Sequence, residues 1–320
     1  MFMTREYPMH KIRWGLCCIF KEAPIKFRKT TVAYIARLNN RGEPYLNFLS
    51  TLILSNLNTL IAAIEYCKQF NIGSFRIQSE FLPLFKHSQY GYQLEQLPEA
   101  ALIFQKFEYC KKLAQTNAVR LTFHPDQFVV LNSPHEHVVK NSIQELEYHG
   151  EIAELLGADV INIHAGGTYG NKAKALTNFA ERFERLSKRV RTRLTIENDD
   201  RCFTPQDLLS LCQQLKIPLV YDVHHHRCLP DELSLEQASI QAYKTWDREP
   251  LFHISSPLEG WNGPKRERHH DYIDIQDFPT CWFDFPAMTI EIEAKAKELA
   301  IFKLQAELDL ILKKIKHGFD

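Results

Sequence analysis

Tyr221-Asp222-Val223-His224-His225-His226 follows the apolar lead Ile217-Pro218-Leu219-Val220, and its reading decides the fold. The lead has the length and composition of a buried strand. Buried charge is costly unless it is paired or bound to a metal, so an apolar strand that runs into four potential ligands points to a site at its end. The competing reading is a solvated loop with spare histidines. Strand alternation alone would put Asp222 and His224 on one face.

Working outward, the same pattern recurs along the chain. Strands are expected at 12–20, 74–77, 119–123, 159–163, 193–196, 217–220, 251–255 and 288–293. Helical spacing is expected at 56–70, 98–116, 136–156, 172–190, from Thr204-Pro205, at 233–246 and at 295–316. Thr204 reads as a cap with proline at the first helical position. Lys21 to about Ser50 reads as a long connection, and 265–285 as irregular and partly polar. Eight strands alternating with helices imply a parallel sheet, and eight units imply a single closed (β/α)8 TIM barrel spanning 1–320. The last helix is amphipathic. An open doubly wound sheet is the runner-up, weakened because no Gly-x-Gly-x-x-Gly follows the first strand.

Composition sets limits. The 320 residues include 39 basic and 39 acidic side chains, so no global basic field advertises a nucleic acid, and phosphate contacts would have to be local. Hydrophobic content of 45% is enough for a large core. The 8 cysteines form no Cys-x-x-Cys pair and read as reduced thiols of a cytoplasmic protein, several of them in the core. The charged N-terminal stretch shows no signal peptide, and no run reads as long and apolar enough to span a bilayer. The 14 histidines exceed what core packing usually needs.

His124, His164, Glu197, Asp222, His253 and Glu293 each fall near the C-terminal end of a different expected strand, and His87 lies in the loop after the second. In a barrel these ends converge on one face. A lone histidine on an apolar strand is more often a hydrogen-bonded core residue. Six strands ending alike make chance a poor account. Carboxylates beside neutral imidazoles suit Zn or Mn, and so many ligands exceed one tetrahedral site, which implies two or three ions. Such clusters clamp the attacking and leaving oxygens of phosphodiester cleavage. Amidohydrolase-type barrels carry His-x-His on the first strand, and this chain has none there. A metal-dependent sugar isomerase is the closer alternative, although that class relies on carboxylates and lysines.

The strand-end motifs, taken in order, resemble the UV damage endonuclease family. They are Phe75-Arg76-Ile77-Gln78-Ser79, Thr122-Phe123-His124-Pro125-Asp126-Gln127-Phe128, Asn162-Ile163-His164-Ala165-Gly166-Gly167, Ile196-Glu197-Asn198-Asp199, Tyr221-Asp222-Val223-His224-His225, His253-Ile254-Ser255-Ser256 and Glu293-Ala294-Lys295-Ala296-Lys297-Glu298. The resemblance runs from about Ile12 to Glu298. It implies a barrel related to endonuclease IV, hydrolysis of damaged double-stranded DNA 5′ to cyclobutane dimers and 6-4 photoproducts, action on abasic sites, and a cluster of up to three divalent ions with Mn favoured. It implies the ligands His87, His124, His164, Glu197, Asp222, His225, His253, His269 and Glu293, with Glu197, Glu293 and His253 as the catalytic set. Hydroxide activated by the ions would attack phosphorus and leave a 3′ hydroxyl.

The family spacing selects Asp222 with His225, so the chain must leave strand geometry after Val223, and His224 and His226 become supporting or loop residues. It selects His269 over the adjacent His270. Gln127 and Phe128 fall where the family probes the duplex at the lesion. Some members carry tyrosine in place of Phe128 and of Leu16, and a modified lysine in place of Leu251, so a carboxylated lysine at that position is ruled out here. Lys26, Arg28, Lys29, Lys265, Arg266 and Arg268 follow strand ends and are the candidate DNA-backbone contacts. The basic run from Arg182 to Arg193 reads as a solvated face. No organic cofactor and no membrane partner are expected, and the chain is expected to be a monomer.

Overall fold

A computed structural model describes residues 12–37 and 42–316. The N-terminal stretch read for a leader, and 38–41 within the first connection, lie outside the described residues. In chain order the elements are β1 (Ile12–Cys17), α1 (Val32–Arg37), α2 (Glu43–Gln69), β2 (Ser74–Ile77), α3 (Ala100–Thr116), β3 (Arg120–Phe123) and α4 (Glu136–Leu156). Then come β4 (Val160–His164), α5 (Lys172–Phe183), α6 (Lys188–Arg191), β5 (Leu194–Glu197), α7 (Pro205–Leu215), β6 (Leu219–Val220), α8 (Val223–Cys228), α9 (Leu235–Lys244), β7 (Leu251–Ile254), β8 (Met288–Ile292) and α10 (Glu298–Lys316).

The eight strands pair in the order β6-β5-β4-β3-β2-β1-β8-β7 and every pair is parallel. The seam between β6 and β7 is closed just beyond the two-residue β6. There Asp222 bridges His253, and the His253 N–H donates to the Tyr221 carbonyl at 3.0 Å. This is the barrel the strand count called for.

The strands are buried on both faces, and the faces differ. Phe75, Ile77, Leu121, Phe123, Ile161, Ile163, Phe252, Ile254, Ile290 and Ile292 join the hydrophobic core against the helices. Ser74, Arg76, Thr122, Asn162, Thr195, His253, Thr289 and Glu291 alternate with them and are also buried. Inside the barrel, where branched aliphatics are usual, Arg76, Thr122, His253 and Glu291 contact one another, and Thr195 donates to Asn162. Glu291 has room there because position 15 is glycine: a Cβ on Gly15 would stand 2.7 Å from the Glu291 Cγ. At the opposite end Glu249 accepts from Arg13 Nε at 2.8 Å and from Thr289 Oγ1 at 2.6 Å, while Arg120 donates to Thr289 at 3.0 Å. That network ties β1, β3 and β8 at the face away from the site.

Two expectations change. α2 begins at Glu43 rather than Asn56, because Pro44 can open a helix and Tyr45, Leu49, Leu52, Ile53 and Leu57 continue its buried stripe. α2 is also long and apolar enough to span a bilayer, contrary to the sequence reading; half of the apolar window is buried inside the protein, as in a core helix. The run from Arg182 to Arg193 lies on the surface as expected, and several of its arginines are paired there. Arg182 donates to the Leu131 and Ser133 carbonyls at 2.8 and 2.6 Å, and Arg185 and Arg191 pair with Glu136 and Glu184. All eight cysteines are free, and Cys17, Cys67, Cys110 and Cys212 are buried.

Candidate metal centre

β5 delivers Glu197 to the centre of the C-terminal face, fully buried. Its Oε2 lies 3.0 Å from His124 Nε2 at the end of β3 and also accepts from Asn162 of β4. Its Oε1 lies 3.3 Å from His225 Nδ1 and 3.2 Å from His253 Nδ1. One carboxylate thus reaches side chains from β3, β4, β7 and α8.

Asp222 is the N-cap of α8, and its Oδ1 accepts the His225 N–H at 2.8 Å. Asp222 is still extended, at φ −95° and ψ 111°, and the helix begins at Val223, one residue earlier than the sequence spacing required. Cap geometry, rather than strand alternation, therefore sets Asp222 and His225 side by side, with Oδ2 and Nδ1 3.4 Å apart. His224 and His226 are on this helix, not in a loop. His226 is buried between the Tyr221 hydroxyl at 2.8 Å and Asp231 at 2.9 Å. His224 packs against the rings of Trp261 and His269.

Three ligand groups result: His124, His164 and Glu197; His124, His253 and Glu293; Glu197, Asp222 and His225. Within each group the ligand atoms lie within 4.8 Å of one another. Glu197 and His124 each serve two groups, an arrangement suited to adjacent ions. Glu197 Oε1, Asp222 Oδ2, His164 Nδ1 and His253 Nδ1 are buried with no hydrogen-bond partner among the described residues. Buried polar atoms are rarely left so, and coordinated cations would satisfy Glu197 Oε1, Asp222 Oδ2 and His253 Nδ1. Four carboxylates, Glu197, Asp222, Glu291 and Glu293, crowd a region whose permanent buried cation is Arg76. The donor set fits divalent metal ions.

The buried carboxylates are held ionised by their neighbours. Burial pushes the Glu197 carboxyl up, but His253, His164, His124 and His225 outweigh it and hold it well below the usual carboxylate range. Burial likewise opposes ionisation of Glu293, yet Arg76 and His253 hold it well below that range. Burial lowers His253, and Glu197 and Glu293 more than reverse that, raising it to about 10. Burial brings His164 down to about 4, leaving a neutral imidazole.

His269 stands beside the cluster, its Nδ1 3.7 Å from Glu293 Oε2, while His270 Nδ1 accepts the Tyr272 N–H at 3.0 Å. Of the two, His269 is the residue at the cluster, although it belongs to none of the three groups. His87 is outside all three as well. Its Nδ1 accepts the Gln89 and Tyr90 N–H groups at 3.1 Å, and it lines a separate cavity of about 430 Å³ with Ser79, Lys86 and Tyr148.

Arg76 and Glu291 had no assigned role in the sequence reading. Arg76 donates to Glu291 at 2.6 Å, contacts Glu293 at 2.7 Å and meets His253 Nε2 at 2.9 Å. Glu291 Oε2 is 3.1 Å from the same Nε2, and its Oε1 accepts from Thr122 at 2.6 Å. The available signal was a charged residue between apolar neighbours, in Phe75-Arg76-Ile77 and in Ile290-Glu291-Ile292.

Gln127 and Phe128 form the tip of a tight turn after β3. Asp126 Oδ1 accepts the Phe128 N–H at 3.0 Å, and the Asp126 carbonyl accepts the Val129 N–H at 2.9 Å. Phe128 is 76% exposed, so core packing does not explain it. Lys26, Arg28, Lys29, Lys265, Arg266 and Arg268 are all exposed. Lys29 pairs with Glu80 at 2.8 Å and Arg268 with Glu259 at 3.0 Å. Leu16 and Leu251 are buried in β1 and β7.

Fold and site together define a (β/α)8 barrel whose strand ends gather carboxylates and imidazoles into overlapping groups able to hold divalent metal. Residues 12–318 match the family described as UV-endonuclease UvdE, and the chain belongs to that family. It is 36% identical to a UV-damage endonuclease of Schizosaccharomyces pombe over 93% of its own length and 51% of that protein. It is 33% identical to a UV DNA damage endonuclease of Bacillus mycoides, covering 82% of this chain and 84% of that one. The chain thus spans about half the length of the Schizosaccharomyces pombe relative. The solved structure described as SacUVDE matches with a TM-score of 0.82 at 28% identity, over 95% of this chain and all of that one. Endonuclease IV from Thermus thermophilus shares the fold, with a TM-score of 0.59 at 14% identity over 93% of this chain and 99% of that one.

Proposed function

We propose that the chain is a metal-dependent DNA repair endonuclease that nicks the phosphodiester backbone 5′ to ultraviolet photoproducts, with action on abasic sites as a further activity. The observation that carries this reading is the overlap of three ligand groups at Glu197 and His124, on the same barrel face as the solvent-directed Gln127-Phe128 turn. Family membership supplies the substrate class.

Glu197, Asp222, His225, His124, His164, His253 and Glu293 would hold the cations, Mn foremost, with His269 at the edge of the cluster and His87 included on the family spacing alone. Divalent ions in this position supply Lewis-acid stabilisation of the charge on the phosphoryl group and acidify water. The chain's own groups do the rest. Arg76 orients Glu293, and Glu291 accepts from His253 Nε2, which turns His253 Nδ1 toward Glu197. Phe128 occupies the gap left by unstacked bases, and the Gln127 amide meets base edges that have lost their partners. Lesions stack poorly and are cheaper to open, so selectivity follows without base reading. Lys26, Arg28, Lys265 and Arg266 contact phosphates, while Lys29 and Arg268 exchange Glu80 and Glu259 for phosphate.

The test is an end-labelled duplex bearing one cyclobutane dimer, incubated with the protein and Mn²⁺. A nick 5′ to the dimer, abolished by chelation, is expected. Absence of that nick in protein shown to contain metal sinks the reading.

A further inference from the structure

The loop after β4 presents an aromatic side chain for which the endonuclease reading has no use. Tyr169 follows the ligand His164 on the same strand end and is 50% exposed. Its backbone φ is 48°, in the left-handed region that bulky residues rarely occupy. Such strain persists only where the surroundings impose it, and it collects at ligand-contacting positions.

The surroundings here are specific. A Cβ on Gly167 would meet the Tyr169 ring at 3.2–3.4 Å, so the ring lies over bare backbone that any other residue would block. That backbone is pinned from the neighbouring loop: Asn132 Nδ2 donates to the Gly167 carbonyl at 2.8 Å. Asn132 belongs to the loop that carries Phe128, so the two exposed aromatics sit on loops locked to each other. Beyond Tyr169, Gly170 has φ of 78° and open space where a Cβ would be, which leaves the backbone free for close approach. Among the described residues the Tyr169 hydroxyl has no hydrogen-bond partner and its ring no aromatic neighbour. The ring thus rests against the Gly167 backbone and remains half exposed.

We propose that Tyr169 is a second DNA-facing aromatic, a fixed surface on which an unstacked nucleobase of the damaged strand stacks while Phe128 fills the gap in the duplex. Because the ring is already held, stacking costs little side-chain freedom, and any base can be accepted since every base has a π face. The inference rests on the endonuclease reading.

The experiment measures affinity of the metal-loaded protein, by fluorescence anisotropy, for a duplex with one cyclobutane dimer and a phosphonate at the scissile position. Tyr169→Ala and Tyr169→Gly are expected to raise Kd by roughly tenfold, in line with removal of one base–aromatic stack. Glycine relieves the left-handed backbone, so the second variant guards against misfolding. Tyr169→Phe and Tyr169→Trp are expected to keep the wild-type Kd, which a hydroxyl contact would not allow. Wild-type affinity in Tyr169→Gly, or an equal loss in Tyr169→Phe, overturns the inference alone. A wild-type chain that does not prefer the dimer duplex overturns the endonuclease reading and this inference with it.

Discussion

His253 Nδ1 stands 3.2 Å from Glu197 Oε1 across the barrel, and among the described residues neither atom has a hydrogen-bond partner. β5 and β7 do not pair, so this approach is made by side chains alone, beside the seam where the barrel closes. Both residues are fully buried. The pair marks the point at which the ligand groups meet.

Glu197→Gln keeps the shape of the side chain and removes the shared charge. Metal content is expected to fall well below that of the wild type, and nicking by roughly 10²-fold or more, because the residue serves two groups. Elemental analysis of dialysed protein gives the first quantity and the dimer-duplex assay the second. Full metal content in the variant would show that Glu197 is not a ligand.

A second prediction concerns acid stability. Burial opposes ionisation of Glu291, but Arg76 and His253 overcome it and hold its pKa at about 2, against an ordinary value of 4.5. A depressed carboxylate pKa contributes stability above the unfolded value, and that contribution is lost as pH falls from about 4.5 through about 2. Its size is about 3 kcal/mol as an order of magnitude. Urea unfolding of chelated protein across that window should show the loss in wild type. In Glu291→Gln the slope should be flatter by one titrating group. An unchanged slope in the variant would contradict the assignment.

The two neighbouring histidines of α8 should separate cleanly. His225 lies beside Asp222 and Glu197, whereas His224 packs between Trp261 and His269. His225→Ala is expected to lose metal and nicking together. His224→Ala is expected to keep most of its metal and to lose stability, on the order of 2 kcal/mol for a truncated buried ring. The opposite pattern, read by metal analysis and thermal melts, would shift the ligand by one position.

Much of this was legible in the sequence because the strands are short apolar runs that end in ligand-type residues. Helix α4 was expected at 136–156 and occupies Glu136–Leu156. The start of α2 escapes a reading of Lys21 to about Ser50 as one long connection, although Tyr45, Leu49, Leu52 and Ile53 carry helical spacing. Asp222 and His225 could be paired only through the family spacing, because local periodicity suggested His224; the N-cap geometry supplies the missing physical reason. Arg76 and Glu291 were overlooked because each looks like an isolated charge on an apolar strand. Only the pairing of β1 with both β2 and β8 brings them within 2.6 Å of each other.

The exposed turn gives the sharpest separation of stability from function. Phe128 is 76% exposed and makes no core contact, so Phe128→Ala should change unfolding free energy by no more than about 0.5 kcal/mol. If the ring enters the duplex at a lesion, the same variant should lose about 10–10² in nicking of the dimer duplex, since unstacking costs a few kcal/mol per step. Phe128→Trp should retain much of the activity, and Gln127→Ala should lose less than Phe128→Ala. Metal content should match wild type in all three, because the turn touches none of the ligand groups. Wild-type nicking by Phe128→Ala would remove the wedge role and leave lesion recognition to the rest of the barrel face.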